Sequence, residues 1–255
     1  MKPPTPAQRT AALMLAALLG ASGARAAHPI QTEDTGTQGA GNLELENGFA
    51  REHDGDAGAT VIASYQPQLS VGLAPTLDAI VQPAWVSRRT RGAAALSGAG
   101  DTNLDAKWRF HGADPWSLAV RAGLELPTAR AGLGLPHGQL GEHALLVATW
   151  DAAPTTLHFN LGANHVPPAP GVRATSAVVS AAVLQAIDER FLVTVDSQFT
   201  QDPSPARRAW PGDVLAGAIW TLRPGLDVDL GYEAGINARP SLRTWLAGLT
   251  WRFSL

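Results

Sequence analysis

Carboxylates are the side chains in this sequence that could most readily do chemistry. Asp227 and Asp229 stand two residues apart, a spacing that puts both side chains on one face of a strand. Such a pair could act as general acid and base, and His158 or His165 beside a serine could form a hydrolase. The sequence has no GxSxG-type motif and no spacing typical of metal ligands, so we expect no enzyme, no cofactor and no metal site. A lipid hydrolase is the least favoured alternative.

The segment from Gly100 to Thr128 indicates which elements position these side chains. Charged and apolar residues alternate along two arms, with Asp105 and Lys107 on one face and Leu104 and Trp108 on the other. Each arm has roughly 10 to 12 residues, against about 5 or 6 in a typical globular strand, which is enough to cross a bilayer at a tilt. Aromatic residues lie beside the short turn, as at the interface of a membrane barrel: Trp108, Phe110 and Trp116.

The same two-residue period recurs along the chain and predicts twelve strands. Short and long connections alternate between them, which is typical of bacterial outer-membrane barrels. The predicted fold is therefore an all-β, transmembrane, antiparallel, up-and-down β-barrel. Its strands are the two arms of 100–128 together with 42–52, 59–72, 76–87, 142–151, 155–166, 174–187, 190–199, 213–222, 226–237 and 242–253. The faces of 142–151 cannot be assigned, and a helix is the alternative for 174–187.

The beginning of the chain is predicted to lie outside the barrel wall. Lys2 and Arg9 flank a short apolar run, and Ala24-Arg25-Ala26 fits a secretory cleavage site. The polar stretch that follows has no period, so it is either a disordered leader or a plug in the barrel mouth. The signal peptide, this polar segment and the barrel are predicted at 1–27, 28–41 and 42–255.

Composition narrows the classes of function. The net charge is −3 and becomes more negative without the basic signal peptide, so nucleic acid is not an expected partner. The chain has no cysteine and therefore no disulfide or thiolate metal site. No later stretch has the ~18 consecutive apolar residues of a membrane helix, so a closed barrel is the expected way to span the outer membrane of a Gram-negative cell.

Inward-facing charges are predicted to line the lumen. Acidic residues outnumber basic ones there, which favours cations over anions. A three-residue turn at 112–114 predicts Asp105 opposite Arg121 and Asp101 opposite Glu125. The lumen-lining candidates are Asp101, Asp105, Lys107, Arg109, Arg121, Glu125, His158, Asp196, Asp227, Asp229 and Glu233.

Arginines in the predicted long connections are candidate contacts for lipopolysaccharide, because a guanidinium group matches phosphate in a bidentate way. Ordinary solvated loops are the alternative. The candidates are Arg88, Arg89, Arg91, Arg207 and Arg208. The expected partners are thus outer-membrane lipid and lipopolysaccharide, the barrel-assembly machinery and a small-molecule solute.

Four stretches carry a family resemblance: HPIQTEDTGTQGAGNLELENGF, GAGDTNLDAKWRF, LELPT before a Gly-rich loop, and LHFNLGANHV. Together they resemble the outer-membrane proteins grouped as phenol meta-degradation pathway or transporter-like proteins. The resemblance implies an outer-membrane barrel for uptake of small, including hydrophobic, compounds, and it brings no catalytic residues. The chain's end resembles a barrel-assembly signal with Gly248, Trp251 and Phe253, but it departs at Leu246 and Ser254-Leu255.

The leading functional hypothesis is a channel or transporter for small solutes. A structural or sensory barrel with a filled lumen is the alternative. Hydrophobic solutes would need a side exit or an apolar patch, and 142–151 and 174–187 are the stretches that could supply one.

Overall fold

The computed structural model describes residues 28–55, 60–130, 139–167 and 170–254, so the predicted signal peptide lies outside the described residues. Within these ranges, no helix is long and apolar enough to cross a membrane. The strands are β1 (Asn42–Asp54), β2 (Thr60–Ala74), β3 (Leu77–Gln82), β4 (Trp85–Thr90), β5 (Leu96–Ala99), β6 (Thr102–Ala113), β7 (Trp116–Leu126), β8 (Gly141–Ala152), β9 (Thr155–His165), β10 (Thr175–Ala186), β11 (Phe191–Thr200), β12 (Gly212–Arg223), β13 (Leu226–Ile236) and β14 (Leu242–Ser254).

These strands close into one antiparallel barrel. β1 pairs along its length with β2 on one side and with β14 on the other, which leaves no open sheet edge at the closure. β3 and β4 both pair with β2, while β6 pairs with β3 and β5 with β4. β3 and β4 therefore form one interrupted wall strand, and β5 and β6 form the next. Counted in this way, the fourteen segments make the predicted twelve-stranded barrel.

Side-chain alternation gives the wall its two faces. On β13, Asp227, Asp229 and Glu233 point into the lumen and are buried, whereas Leu230 and Tyr232 face outward and are exposed. Large apolar side chains cover the outer face, as lipid contact requires. Five tryptophans lie on that face at the short-turn end of the wall: Trp108, Trp116, Trp150, Trp220 and Trp251.

The register of the central hairpin differs from the prediction. Its turn consists of the two residues Asp114-Pro115, and a bulge interrupts β6. Lys107 is therefore opposite Arg121, and Asp105 is opposite Gly123. Arg121 still forms an ion pair with Asp105, because the diagonal neighbour on the same face lies within reach of a long side chain.

The second predicted pair of this hairpin is also corrected. Glu125 lies opposite Asn103, and Asp101 lies just before β6. The Oδ1 atom of Asp101 accepts a hydrogen bond from the Ala129 N–H at 2.9 Å. The physical cause is the same change of turn and bulge, which moves every partner by two residues and so keeps each side chain on its predicted face.

The long loop predicted at 88–99 is shorter than expected. β4 continues to Thr90 and β5 begins at Leu96, so Arg88 and Arg89 belong to the wall and not to a loop. Antiparallel pairing with β2 extends this strand beyond the point where its alternating apolar pattern ends.

Strands β8 and β10 point buried apolar side chains into the lumen. Val147 on β8 is fully buried, as are Ala182 and Leu184 on β10. Ala182 and Leu184 pack against Leu192 and Ile219 of the next two strands. The lumen wall therefore has an apolar patch on β10, β11 and β12, whereas charged side chains predominate on β1, β6 and β13.

Candidate functional site

Residues 28–38 lie inside the barrel and cross its lumen. The segment runs from His28 beside β13, past β11 and β9, to β6 and β7, and then descends to the short-turn end where β1 begins. We call residues 28–38 the N-terminal segment. Its contacts with the wall define the candidate site.

Asp196 on β11 holds the first half of the N-terminal segment. Its buried carboxylate accepts hydrogen bonds from the N–H groups of Gln31 at 2.6 Å and Thr32 at 2.9 Å, and from the Thr32 hydroxyl at 2.5 Å. The Gln31 side chain donates to Glu233 on β13. A buried carboxylate needs such donors, since it has lost its hydration. These donors come from the N-terminal segment, so the hydrogen bonds of Asp196 are made only when the segment is in place.

Asn160 on β9 holds the middle of the segment through a reciprocal pair of bonds. The Glu33 N–H donates to Asn160 Oδ1 at 2.8 Å, and Asn160 Nδ2 donates to the Glu33 carbonyl at 2.8 Å. The Asn160 amide thus makes the two hydrogen bonds that a neighbouring strand would otherwise make, and it satisfies both backbone groups of Glu33.

An ion-pair cluster lies at the centre of the lumen. Lys107 Nζ is 2.6 Å from Glu33 Oε1 and 3.0 Å from Asp34 Oδ1. Arg121 contacts the second oxygen of Glu33, and its Nη2 lies 2.5 Å from Asp105 Oδ2. We call these five residues the central cluster. It joins β6 and β7 to the N-terminal segment.

The central cluster keeps Glu33 ionised. Burial by itself would raise the pKa of the Glu33 carboxyl, but Lys107 and Arg121 together lower that pKa to about 2. At neutral pH the segment therefore carries a negative charge into a position where two wall cations meet it.

Inward glycines make room for the start of the segment. A Cβ atom on Gly231 would lie 2.8 Å from Pro29 Cβ, and one on Gly248 would lie 2.6 Å from His28 Nδ1. His28 itself contacts Asp229, with Nδ1 and Oδ1 2.7 Å apart. We call these facing pairs the glycine floor: Gly48 opposite Gly248, and Gly217 opposite Gly231.

The end of the segment is fixed near the short turns. The Gln38 N–H donates to both oxygens of Asp78 at 3.0 and 3.1 Å, and its side-chain amide donates to Glu44 at 2.7 Å. A Cβ atom on Gly72 would lie only 1.8 Å from the Gly39 carbonyl oxygen. Only glycine at position 72 lets the chain pass this close to β2.

The segment separates two cavities. The one toward the long connections, the outer cavity, has a volume of about 600 Å³ and is lined by acids and amides that include Glu46, Glu52, Gln66, Gln68 and Glu233. The one toward the short turns, the inner cavity, has a volume of about 450 Å³ and is lined by residues that include Arg109, Ser117, His158, Leu184 and Leu192.

The predicted lumen residues fall into three groups. Five contact the N-terminal segment directly: Lys107, Arg121, Asp196, Asp229 and Glu233. Three contact it through a neighbour, Asp105 through Arg121, His158 through Thr149 and Asp227 through Arg252 and Glu44. Asp101 and Glu125 lie away from the segment and close to each other near the long connections, and Arg109 lines the inner cavity.

The five predicted lipopolysaccharide contacts do not form one surface. Arg88 is on the lumen face of β4 and the exposed Arg89 is on its outer face, because adjacent strand residues point to opposite sides. Arg91, Arg207 and Arg208 are exposed in connections.

Sequence reasoning did not find Glu33, Asp34 or Asn160 as parts of the site. The inward glycines carried a signal for it, since Gly231 and Gly248 stand at positions where the strand pattern elsewhere places polar side chains. A glycine at such a position indicates that something else fills the lumen there. Within the described part of the chain, no three His, Asp or Glu side chains are arranged to hold a metal ion.

No protein-family profile and no curated protein sequence matches the chain. Its structure is similar to the COG4313 outer membrane channel from Pseudomonas putida F1, with a TM-score of 0.68 and 12% identity over 88% of this chain and 100% of that one. The KdgM porin in complex with disordered oligogalacturonate matches with a TM-score of 0.58 and 8% identity over 82% of this chain and 99% of that one. The NanC porin matches with a TM-score of 0.58 and 9% identity over 82% and 98%. The likeness establishes the fold of outer-membrane barrels.

Proposed function

We propose that this chain is an outer-membrane channel or transporter for small solutes, with the N-terminal segment as a plug in its lumen. The observation that carries the proposal is the pair of cavities, about 600 and 450 Å³, on the two sides of that segment. The hydrogen bonds that hold the segment use side chains, such as those of Asp196 and Asn160, and not the ladder of the wall. The plug can therefore move without opening the barrel.

The fold neighbours support the class of function. They include a barrel described as an outer membrane channel and two described as porins. The exposed apolar outer face of the wall supports a position in the outer membrane, surrounded by its lipid and assembled by the barrel-assembly machinery.

The charge of the outer cavity supports a preference against anions. Glu46, Glu52 and Glu233 line it together with neutral amides, and Arg121 is engaged by Asp105 and Glu33. Carboxylates around a narrow aqueous path favour cations.

The inner cavity supports the finer proposal of hydrophobic solutes, which the resemblance to phenol meta-degradation proteins implies. Leu184, Ala186 and Leu192 line it. A solute with an aromatic ring would find apolar contact on this side and polar groups such as Arg109 on the other.

A structural or sensory barrel is the second candidate. The buried central cluster favours it, since breaking such a cluster leaves uncompensated charge inside the barrel. A lipid hydrolase has less support, because the His158 ring bonds Thr149 inside the lumen at 2.9 Å.

Conductance tests the proposal. We expect the intact barrel in a planar bilayer to conduct weakly, and a variant lacking 28–38 to conduct several-fold more, with a reversal potential that favours cations. Glu142→Gln, which changes an exposed charge on β8, is the control and should alter neither quantity. An anion-selective pore would overturn the charge argument. A deletion variant that still does not conduct would favour the structural or sensory candidate.

A further inference from the structure

Three arginines and a histidine lie on the outer face of neighbouring wall strands near the long connections. We call them the exterior basic row: Arg51 and His53 on β1, Arg89 on β4 and Arg243 on β14. All four are exposed. The strand register places side by side, in this order, Arg89, Val61, His53 and Arg243. Three strand spacings separate the ends of the row, roughly 14 Å, and Arg51 lies one step below His53 on the same face.

Outward-facing arginines of the wall are concentrated in this part of the barrel. Among the described strands, these are the arginines that face outward at the long-connection end. The outward neighbours beside Arg51 on β2 and β4 are Ala63 and Ser87, which bring no negative charge. Among the described strand residues, therefore, no carboxylate lies beside the row on the outer face of the wall.

An aromatic belt lies directly below the exterior basic row. Phe49 and Tyr65 stack with ring centroids 4.7 Å apart, and Tyr232 and Trp245 meet at 4.8 Å. Trp85 is opposite Tyr65 and is 55% exposed. Aromatic belts mark the boundary between hydrocarbon and headgroups, so the exterior basic row lies at headgroup depth.

Arg243 is held in place on the wall. Its Nη1 donates to the carbonyl oxygens of Pro240 at 2.8 Å and Leu242 at 2.6 Å. A guanidinium that is fixed in this way loses little freedom when its planar fork binds two oxygens of a phosphate group.

We propose that the exterior basic row binds the phosphate groups of lipopolysaccharide, with its acyl chains against the aromatic belt. The inference rests on the proposed outer-membrane location, in which the long connections face the cell exterior. It assigns the lipid contact to arginines of the wall, of which Arg51 and Arg243 were not among the predicted loop candidates.

Lipid binding by purified barrels tests the assignment. The variant is Arg51→Gln/Arg89→Gln/Arg243→Gln, and the matched control removes three arginines outside the wall strands, Arg130→Gln/Arg207→Gln/Arg208→Gln. Delipidated barrels are titrated with lipopolysaccharide, with phosphatase-treated lipopolysaccharide and with phosphatidylglycerol, and bound lipid is counted by native mass spectrometry. We expect the wall variant to bind lipopolysaccharide at least roughly tenfold more weakly and the control to stay within about twofold of the unmodified barrel.

Several outcomes would overturn the proposal. These are equal binding by the unmodified barrel and the wall variant, an equal loss in the control, undiminished binding after phosphatase treatment, and equal binding of phosphatidylglycerol. A wall variant that turns a dimer into a monomer without losing lipid would assign the surface to a second copy of the chain. Conductance and heat-modifiable migration of the wall variant should stay unchanged, which separates this result from failure of the channel function or of folding.

Discussion

Lys107 neutralises acidic side chains of the N-terminal segment at the centre of the lumen. It is the only lysine after Lys2, its side chain is 6% exposed, and it lies between Glu33 and Asp34. The mutual attraction of such buried charges is largely offset by their lost hydration. The central cluster therefore specifies one docked position of the N-terminal segment more than it adds net stability to that position.

The Lys107 amine reports on release of the segment. In Glu33→Gln we expect it to react with an amine acylating reagent roughly tenfold faster, because losing charge-assisted bonds weakens docking by about 1.4 kcal/mol or more. Peptide mapping by mass spectrometry after timed acylation measures the rate at Lys107 alone. Glu189→Gln, at an exposed short turn, is the matched control. Identical rates in both variants would show that Glu33 does not hold the segment over Lys107.

The N-terminal segment is the element on which the proposed function depends. It has no regular secondary structure, and its backbone groups are satisfied by wall side chains such as Asp196 and Asn160. The glycine floor leaves space for His28 and Pro29. An element of this kind is positioned by shape and charge together. A substitution that alters either the space or the charge around the segment should therefore displace it.

A methyl group in the glycine floor should displace the segment. In Gly231→Ala the new Cβ would lie 2.8 Å from Pro29 Cβ, so Pro29 must shift while the strand itself tolerates alanine. We expect higher single-channel conductance with little change in thermal stability. Gly112→Ala is the control, because a Cβ there meets nothing within 4 Å. Conductance equal to that of the control would mean that the segment does not limit flow.

The whole molecule is a barrel whose inside and outside are both divided. The lumen has a charged side around Lys107 and an apolar side around Leu184. The exterior has a tryptophan belt at the short-turn end, and aromatic rings with the exterior basic row above them at the other. The two ends of the outer face therefore differ, which is what we expect of a barrel that has one orientation in a membrane.

Closure of the wall should make the intact chain resistant to detergent. We expect it in the outer-membrane fraction as a β-rich, heat-modifiable band, since every strand has two neighbours only when β14 pairs with β1 and β13. Electrophoresis with and without boiling, together with circular dichroism, tests this. A chain truncated after Ser241 lacks β14 and should lose the heat-modifiable band. A soluble periplasmic protein or a helical spectrum would contradict the barrel.

The sequence by itself determined the strands and most of their faces. Neighbouring strand residues point to opposite sides, so Asp227 inward and Leu230 outward follow from a local period of two. The same property assigned the outward tryptophans, such as Trp108 and Trp220. It did not assign the faces of β8 and β10, because small and apolar residues stand on both faces and only a few polar ones, such as Thr149 and Ser180, mark the lumen side.

Only the tertiary structure decided what meets across the lumen. A two-residue turn and one bulge set Asp105 against Gly123, and no alternation pattern fixes the length of a turn. Thr32 and Asp196 are 164 residues apart in the chain, yet they form a buried bond. Periodicity describes neighbours along a strand, whereas these contacts depend on closure of the whole barrel around a segment that has no period of its own.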